Sequence, residues 1–180
     1  LVITEPGHIM ERKTLNKVLG FIVNLGRAFP FIILLVVIVP FTRLVAGTTI
    51  GPIGAAVPLT VAAIPFVGRM VEQSLKEVPW GVVESALSMG ASPWQVVTKV
   101  LLPESLPSLV LGVTITTITL IGYSAMAGVV GGGGLGDIAV RYGYYRRDPV
   151  KLWTSVVLIL FMVQLSQTVG DSLAKKLDKR

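Results

Sequence analysis

The sequence predicts an all-α integral membrane protein, and three observations predict it. Of the 180 residues, 52% are hydrophobic and 14% are charged, where ordinary soluble domains run near a quarter charged. Apolar runs about 20 residues wide, the length a helix needs to cross the hydrocarbon core, fall at residues 20–41, 45–65, 107–130 and 151–170. Between the second and third of these lies a polar stretch, ESALSMGASPWQVVTKVLLP at 84–103, dense in helix start and stop signals. A soluble all-helical core is the competing reading of the composition.

The same counts exclude several functions. Cysteine is absent, so no disulfide framework, thiolate catalyst or thiolate metal site is available. His8 is the only histidine and reads as a solvated loop residue, and the acidic residues are scattered. No catalytic constellation or resident cofactor is expected, and energy for work must come from another subunit or a gradient. The formal charge of +6 does not point to nucleic acid, because the basic residues sit between apolar spans rather than on one face. The start at Leu1, with no signal-peptide succession near it, gives the expectation that the true N-terminus lies upstream.

Residues 1–180 read as a single transmembrane domain with four crossings and both termini on one side. That side, with the 66–106 loop, holds Arg12, Lys13, Lys17, Arg69, Lys76, Lys99, Lys175, Lys176, Lys179 and Arg180. The other holds Arg43, Arg141, Arg146 and Arg147, with Lys151 at the boundary. The excess of Lys and Arg places the termini in the cytoplasm.

In the first span, Arg27 is either a substrate counter-charge or a side chain that snorkels to the interface. Pro30, Pro40, Pro58 and Pro65 punctuate the first two spans, and broken membrane helices line cavities or pack on neighbours that satisfy the freed carbonyls. The small residues of GTTIGPIGAA permit close helix approach. After the third span, Gly131, Gly133 and Gly136 match GxGxxG, but no βαβ unit surrounds them and no Lys-Ser or Lys-Thr pair follows. A bend or re-entrant turn at the outer mouth is the expectation there. Asp137, Arg141, Tyr142, Tyr144 and Tyr145 follow, as interface anchors or partner contacts.

The polar stretch reads as two capped helices. Pro79 starts the first at its N1 position, Val82, Val83, Ala86 and Leu87 give it an apolar stripe, and Gly90 ends it with a left-handed turn. Ser92, Pro93 and Gln95 form the N-cap, N1 proline and capping-box partner of the second, whose stripe is Trp94, Val97 and Leu101. Pro103 is expected to stop it, and Pro107 to begin the next span. A rigid unit with a hydrophobic ridge and a charged edge of Glu84, Lys99 and Glu104 suits docking into a groove on a soluble partner.

Glu84, Ala86 and Gly90, then Val100, Leu102 and Pro103, resemble the EAA loop of bacterial ABC-importer permeases: a Glu-Ala-Ala start, Gly six residues after the Glu, and Ile-x-Leu-Pro ten residues later. Ser85 and Val100 depart from that pattern. FPFIILLVVIVPFTRLVAGTTIG, VPLTVAAIPFVGRMVEQSL and GYSAMAGVVGGGGLGDIAVRYGY are similar to methionine-importer permeases, so the resemblance covers nearly the whole chain. That family usually has one more N-terminal membrane helix, which this chain is expected to lack.

The resemblance implies a type I ABC-importer permease of the bacterial inner membrane, moving methionine, L- and D-, by alternating access. It implies a homodimer, with a cytoplasmic ATPase subunit on each copy binding ATP and Mg, and a methionine-binding protein outside. Glu84, Ala86, Gly90, Ala91, Ser92, Pro93, Val100, Leu102 and Pro103 would couple to the ATPase. In GYSAM at 122–126, Tyr123, Ser124 and Met126 are gate candidates, two symmetry-related Met126 side chains closing an apolar constriction; helix packing is the other reading. A permease for another small polar solute and a channel or gradient-driven carrier are the alternatives, although neither repeated filter motifs nor membrane-embedded acidic pairs are present for the last.

Overall fold

The computed structural model describes residues 12–178; His8 lies outside them, as do Lys179 and Arg180 of the charge comparison. The described residues are helical with short connections and contain no strand, so GxGxxG lacks the βαβ unit a dinucleotide turn would need.

The expected span at 20–41 is not one helix. α1 (Lys13–Ala28) ends at Phe29, whose φ −75°, ψ 121° is extended, and α2 (Phe31–Val37) departs at 98° to it. Pro30 is the cause, since its ring disfavours the helical region for the residue before it. α3 (Val39–Ala46) carries Pro40 in its first turn, where a missing N–H costs least, and ends on Gly47 at φ 70° with the Gly47 N–H on the Arg43 carbonyl at 3.0 Å. That left-handed turn moves the start of the next helix from the expected 45 to Gly51. α4 (Gly51–Lys76) then runs beyond 65, through Pro58 and Pro65, into the segment expected to be loop. Its last turns are held by Glu72, which pairs with Arg69 at 2.8 Å and Lys76 at 3.2 Å on the same helix. α1 crosses α4 where Gly26 lies on Pro65; a Cβ on Gly26 would stand 2.9 Å from the proline Cγ.

After α5 (Trp80–Ser88) the chain is helical from Pro93 to Gly132, 40 residues and about 60 Å. It comprises α6 (Pro93–Val96), a π-helical turn at Val97–Leu101 and α7 (Leu102–Ala127), with a second π-helical turn at Gly128–Gly132. Pro103 therefore does not stop the helix, and the third span begins well before Pro107. In the π-turn the Leu102 N–H reaches the Val97 carbonyl, so the ladder has widened before it meets Pro103, which has no donor to lose.

α7 packs between α4 and α9 (Pro149–Leu177) through small and hydroxyl residues. Ser108 Oγ donates to Ser74 Oγ at 3.1 Å across to α4. Thr114, Thr116, Thr117 and Thr119 donate to carbonyls four residues back, which satisfies their hydroxyls where no water is present. The Gly128–Gly136 turn folds the backbone against the end of α7. Gly131, Gly133 and Gly134 have φ of 97°, 76° and 83°, and a Cβ on Gly128 would lie 2.6 Å from the Asp137 amide nitrogen. α8 (Gly134–Asp137) and a π-helical stretch at Ile138–Tyr145 lead into α9.

In the three long spans only 11%, 17% and 6% of the most apolar window is buried within the subunit, so most of their apolar surface faces lipid or another chain. The α7–α9 contact is the closest. A Cβ on Gly170 would fall 2.7 Å from Thr114 Cβ. Gly170→Val is expected to separate these helices and destabilise the subunit by about 1–3 kcal/mol, read as a lower melting temperature in detergent, whereas Gly122→Ala, whose Cβ meets nothing within 4 Å, should leave it unchanged.

Candidate coupling segment and pathway residues

The best-packed part of the subunit is the segment between the spans. Val83 and Val96 are 2% and 0% exposed and join Val78, Ala86 and Leu101 in one buried cluster, flanked by Leu75, Leu87, Ala91, Val97 and Val100. Burying a valine removes about 1.5–3 kcal/mol worth of apolar surface from water, so this small core gives α5 and α6 a fixed relative position. Pro79 precedes α5 as its N-cap, with φ −58°, ψ 132°, one residue earlier than its expected N1 place.

The reversal at Gly90 is closed by two backbone bonds. The Gly90 N–H donates to the Leu87 carbonyl at 2.9 Å and the Ala91 N–H to the Ala86 carbonyl at 3.1 Å, a Schellman motif with Gly90 at φ 82°. Next, Ser92 Oγ accepts from the Gln95 N–H at 3.3 Å and Gln95 Oε1 from the Ser92 N–H at 2.8 Å, with Pro93 opening α6. A Cβ on Gly90 would meet nothing within 4 Å, so substitution there costs torsional energy rather than a clash.

The expected stripe of Trp94, Val97 and Leu101 is split. Leu101 is buried, Val97 is half-buried, and Trp94 is 74% exposed; Val96, absent from that stripe, is the enclosed residue. The π-turn explains this, because its wider winding brings Val96 and Leu101, five apart, to one side. Around the reversal, Met89 is 83% exposed before Gly90 and Trp94 is exposed after it, with Val82 and Trp80 also exposed on α5. This outward apolar set is the ridge, whereas Val83, Ala86 and Leu101 are its interior support. Glu84, Lys99 and Glu104 are all exposed, as are Ser92, Pro93, Leu102 and Pro103; Ala91 and Val100 are half-buried.

The gate candidates lie at the other end of the same helix, with Met126 about 36 Å from Leu102 along α7, and the structure divides them. Tyr123 is stacked on Phe31 with ring centroids 4.4 Å apart and planes 3° from parallel, alongside buried Leu35 and Ala127. Its ring serves packing of α2 on α7. Ser124 and Met126 are exposed, Met126 at 48%. Arg27 is exposed in the last turn of α1, where a cation complements the helix dipole. Glu72, 6% exposed between Arg69 and Lys76, was not singled out from the sequence; the i, i+3, i+4 charge spacing in RMVEQSLK is the signal that marks it. The described residues contain no cluster able to hold a metal ion.

Residues 3–180 match the family described as binding-protein-dependent transport system inner membrane component. The probable D-methionine transport system permease protein MetI of Vibrio cholerae is 52% identical over 177 residues, 98% of this chain and 79% of the relative. The methionine import system permease protein MetP of Bacillus subtilis is 41% identical over 180 residues, 100% of this chain and 81% of the relative. Among solved structures, an inward-facing MetNI methionine ABC transporter matches with a TM-score of 0.96 and 49% identity, covering 99% of this chain and 82% of that one.

The Gly90 geometry separates shape from contact. Gly90→Val should cost about 1–2 kcal/mol in the left-handed turn and speed amide hydrogen exchange across 84–98, while Gly90→Asn, whose side chain tolerates that region, should leave exchange close to that of the unsubstituted chain.

Proposed function

This chain belongs to the family of binding-protein-dependent transport system inner membrane components, a multi-pass ABC-importer permease, and we propose that it carries methionine inward by alternating access, driven by a separate ATPase docked on residues 79–103. The observation that carries this reading is the rigid, capped α5–α6 unit presenting Met89 and Trp94 outward while running without a break into the helix that bears Ser124 and Met126. An apolar tip on a fixed reversal is suited to insertion into a cleft, and its rigidity lets closure of that cleft turn the membrane helix as one body. Glu84 and Lys99 rim the tip and select register by charge.

The permease acts as a homodimer. One subunit buries so little of its long helices that it does not enclose a path, and a two-fold axis supplies the matching wall. Paired Met126 side chains narrow the path from both sides, with Ser124 beside them and Tyr123 holding the helix end against α2. ATP and Mg are bound by the ATPase, and methionine is delivered by a binding protein on the opposite face. The termini and the 79–103 segment face the cytoplasm, in keeping with the Lys and Arg excess there. Methionine as substrate is supported by the relatives named for D-methionine and methionine import.

ATP-dependent uptake of labelled methionine into proteoliposomes holding permease, ATPase and binding protein, competed only by methionine-like compounds, is the expected result; uptake of an unrelated solute instead would refute the substrate. Gly90→Asp preserves a left-handed turn that Asp tolerates but puts a charge in the apolar tip. It should assemble in the membrane and lose at least about tenfold in coupled uptake, the cost of roughly 1–3 kcal/mol for burying a charge badly, with Gly90→Asn losing less. Met126→Ala is expected to raise substrate leak or basal ATPase activity, and unchanged values in both would remove Met126 as the gate.

A further inference from the structure

At the end of the subunit opposite the coupling segment, the chain from Arg141 to Lys151 carries, beside Tyr142, Tyr144 and Tyr145, four cations and one carboxylate that the transport path does not use: Arg141, Arg146, Arg147 and Lys151 against Asp148. Arg141 is paired with Asp137 at 3.1 Å and Lys151 with Asp148 at 2.9 Å. Arg146 lies over the Tyr142 ring at 4.8 Å, and neither it nor Arg147 has an ion pair among the described residues. Lys151 holds the Asp148 carboxyl below the usual carboxylate range through side-chain and backbone hydrogen bonds, so that carboxylate stays ionised and engaged.

Arg147 is also the one non-glycine residue among those described with positive φ, at 54°. That conformation costs an arginine energy, and it sets the residue on the wall of a shallow pocket formed with Gly143, Tyr144, Tyr145, Pro149 and Leu152. Tyr144 and Tyr145 stand exposed there as an edge-to-face pair with centroids 5.5 Å apart. Directly below, α9 opens with Val150, Trp153 and Val157 exposed at 72%, 65% and 60%, spaced three and four apart on one helix face.

We propose that this loop and the first three turns of α9 form a binding site for an anionic phospholipid. The phosphate sits against Arg147 and Arg146 with the tyrosine hydroxyls at headgroup depth, and an acyl chain lies along Val150, Trp153 and Val157. A soluble acidic protein would satisfy the arginines but not this apolar strip that continues from them, whereas a lipid presents both chemistries in that order. Uncompensated cations at the rim and an exposed tryptophan one turn inside it match the depth profile of a bilayer.

The test uses the full-length permease with its ATPase in nanodiscs containing equal phosphatidylglycerol and phosphatidylcholine, with lipids retained after extraction read by native mass spectrometry. The complex should keep phosphatidylglycerol preferentially, the preference should fall as salt rises, and inorganic phosphate should not displace it. Arg147→Gln and Arg146→Gln should each lower the preference about fivefold, Arg147→Lys should retain most of it, and Arg43→Gln, an exposed cation elsewhere, should not change it. No preference in the unsubstituted complex, or equal loss in Arg43→Gln, would overturn the proposal. So would a loss of binding-protein-stimulated ATPase activity in Arg147→Gln with lipid retention intact, which would assign the patch to the binding protein.

Discussion

Backbone hydrogen bonding without water is the constraint on which this structure depends. Inside a bilayer each N–H and C=O must find its partner within the protein, and each irregularity in the chain is a local answer to that demand. Pro40 sits in a first turn, where the missing N–H costs least. Leu102 reaches back five residues to Val97 ahead of Pro103. Threonine hydroxyls on α7 return to carbonyls of their own helix. The glycine turn at 128–136 brings backbone against backbone so closely that side chains would not fit.

The same constraint divides the subunit into two regimes. Where lipid surrounds the helices there is little hydrophobic drive for them to associate, and contacts rest on close approach at Gly112, Gly170 and Ser74. Where water returns, at 75–101, burial becomes favourable again and Val83 and Val96 are enclosed almost completely. In the proposed mechanism, the segment that passes force is the one with an enclosed apolar core, and the spans it turns bury little of their surface within the subunit.

Legibility followed the range of the interactions. The capping box at Ser92–Gln95 and the left-handed Gly90 are settled within a few residues, and both stood in the sequence as they stand in the structure. The all-helical membrane class followed from composition. Boundaries did not: a hydropathy window averages over Pro30 and so joined α1 to α2 across a 98° bend. Pro103 read as a stop because local rules count the missing donor and not the π-turn that precedes it. The same turn shifted the phase of the apolar stripe, enclosing Val96 with Leu101 and leaving Trp94 apart from them on the outward ridge. Tyr123 could not be separated from Met126 by type alone; its stack on Phe31 is a contact between residues 92 positions apart in sequence (123 − 31).

In the proposed mechanism, a 40-residue helix joining the 79–103 segment to Ser124 and Met126 makes transport a question of stiffness: closure of the proposed ATPase partner is transmitted only if the prolines and the π-turn do not yield. The direct measurement is the distance between spin labels at exposed Lys99 and Thr117 of one subunit, about 27 Å apart along the helix, in nucleotide-free and ATP-bound states of the assembled transporter, with a second pair across the two subunits. The account predicts an unchanged distance within the helix while the distance between subunits changes. A within-helix distance that shifts with nucleotide would place a hinge between Lys99 and Thr117 and contradict rigid transmission.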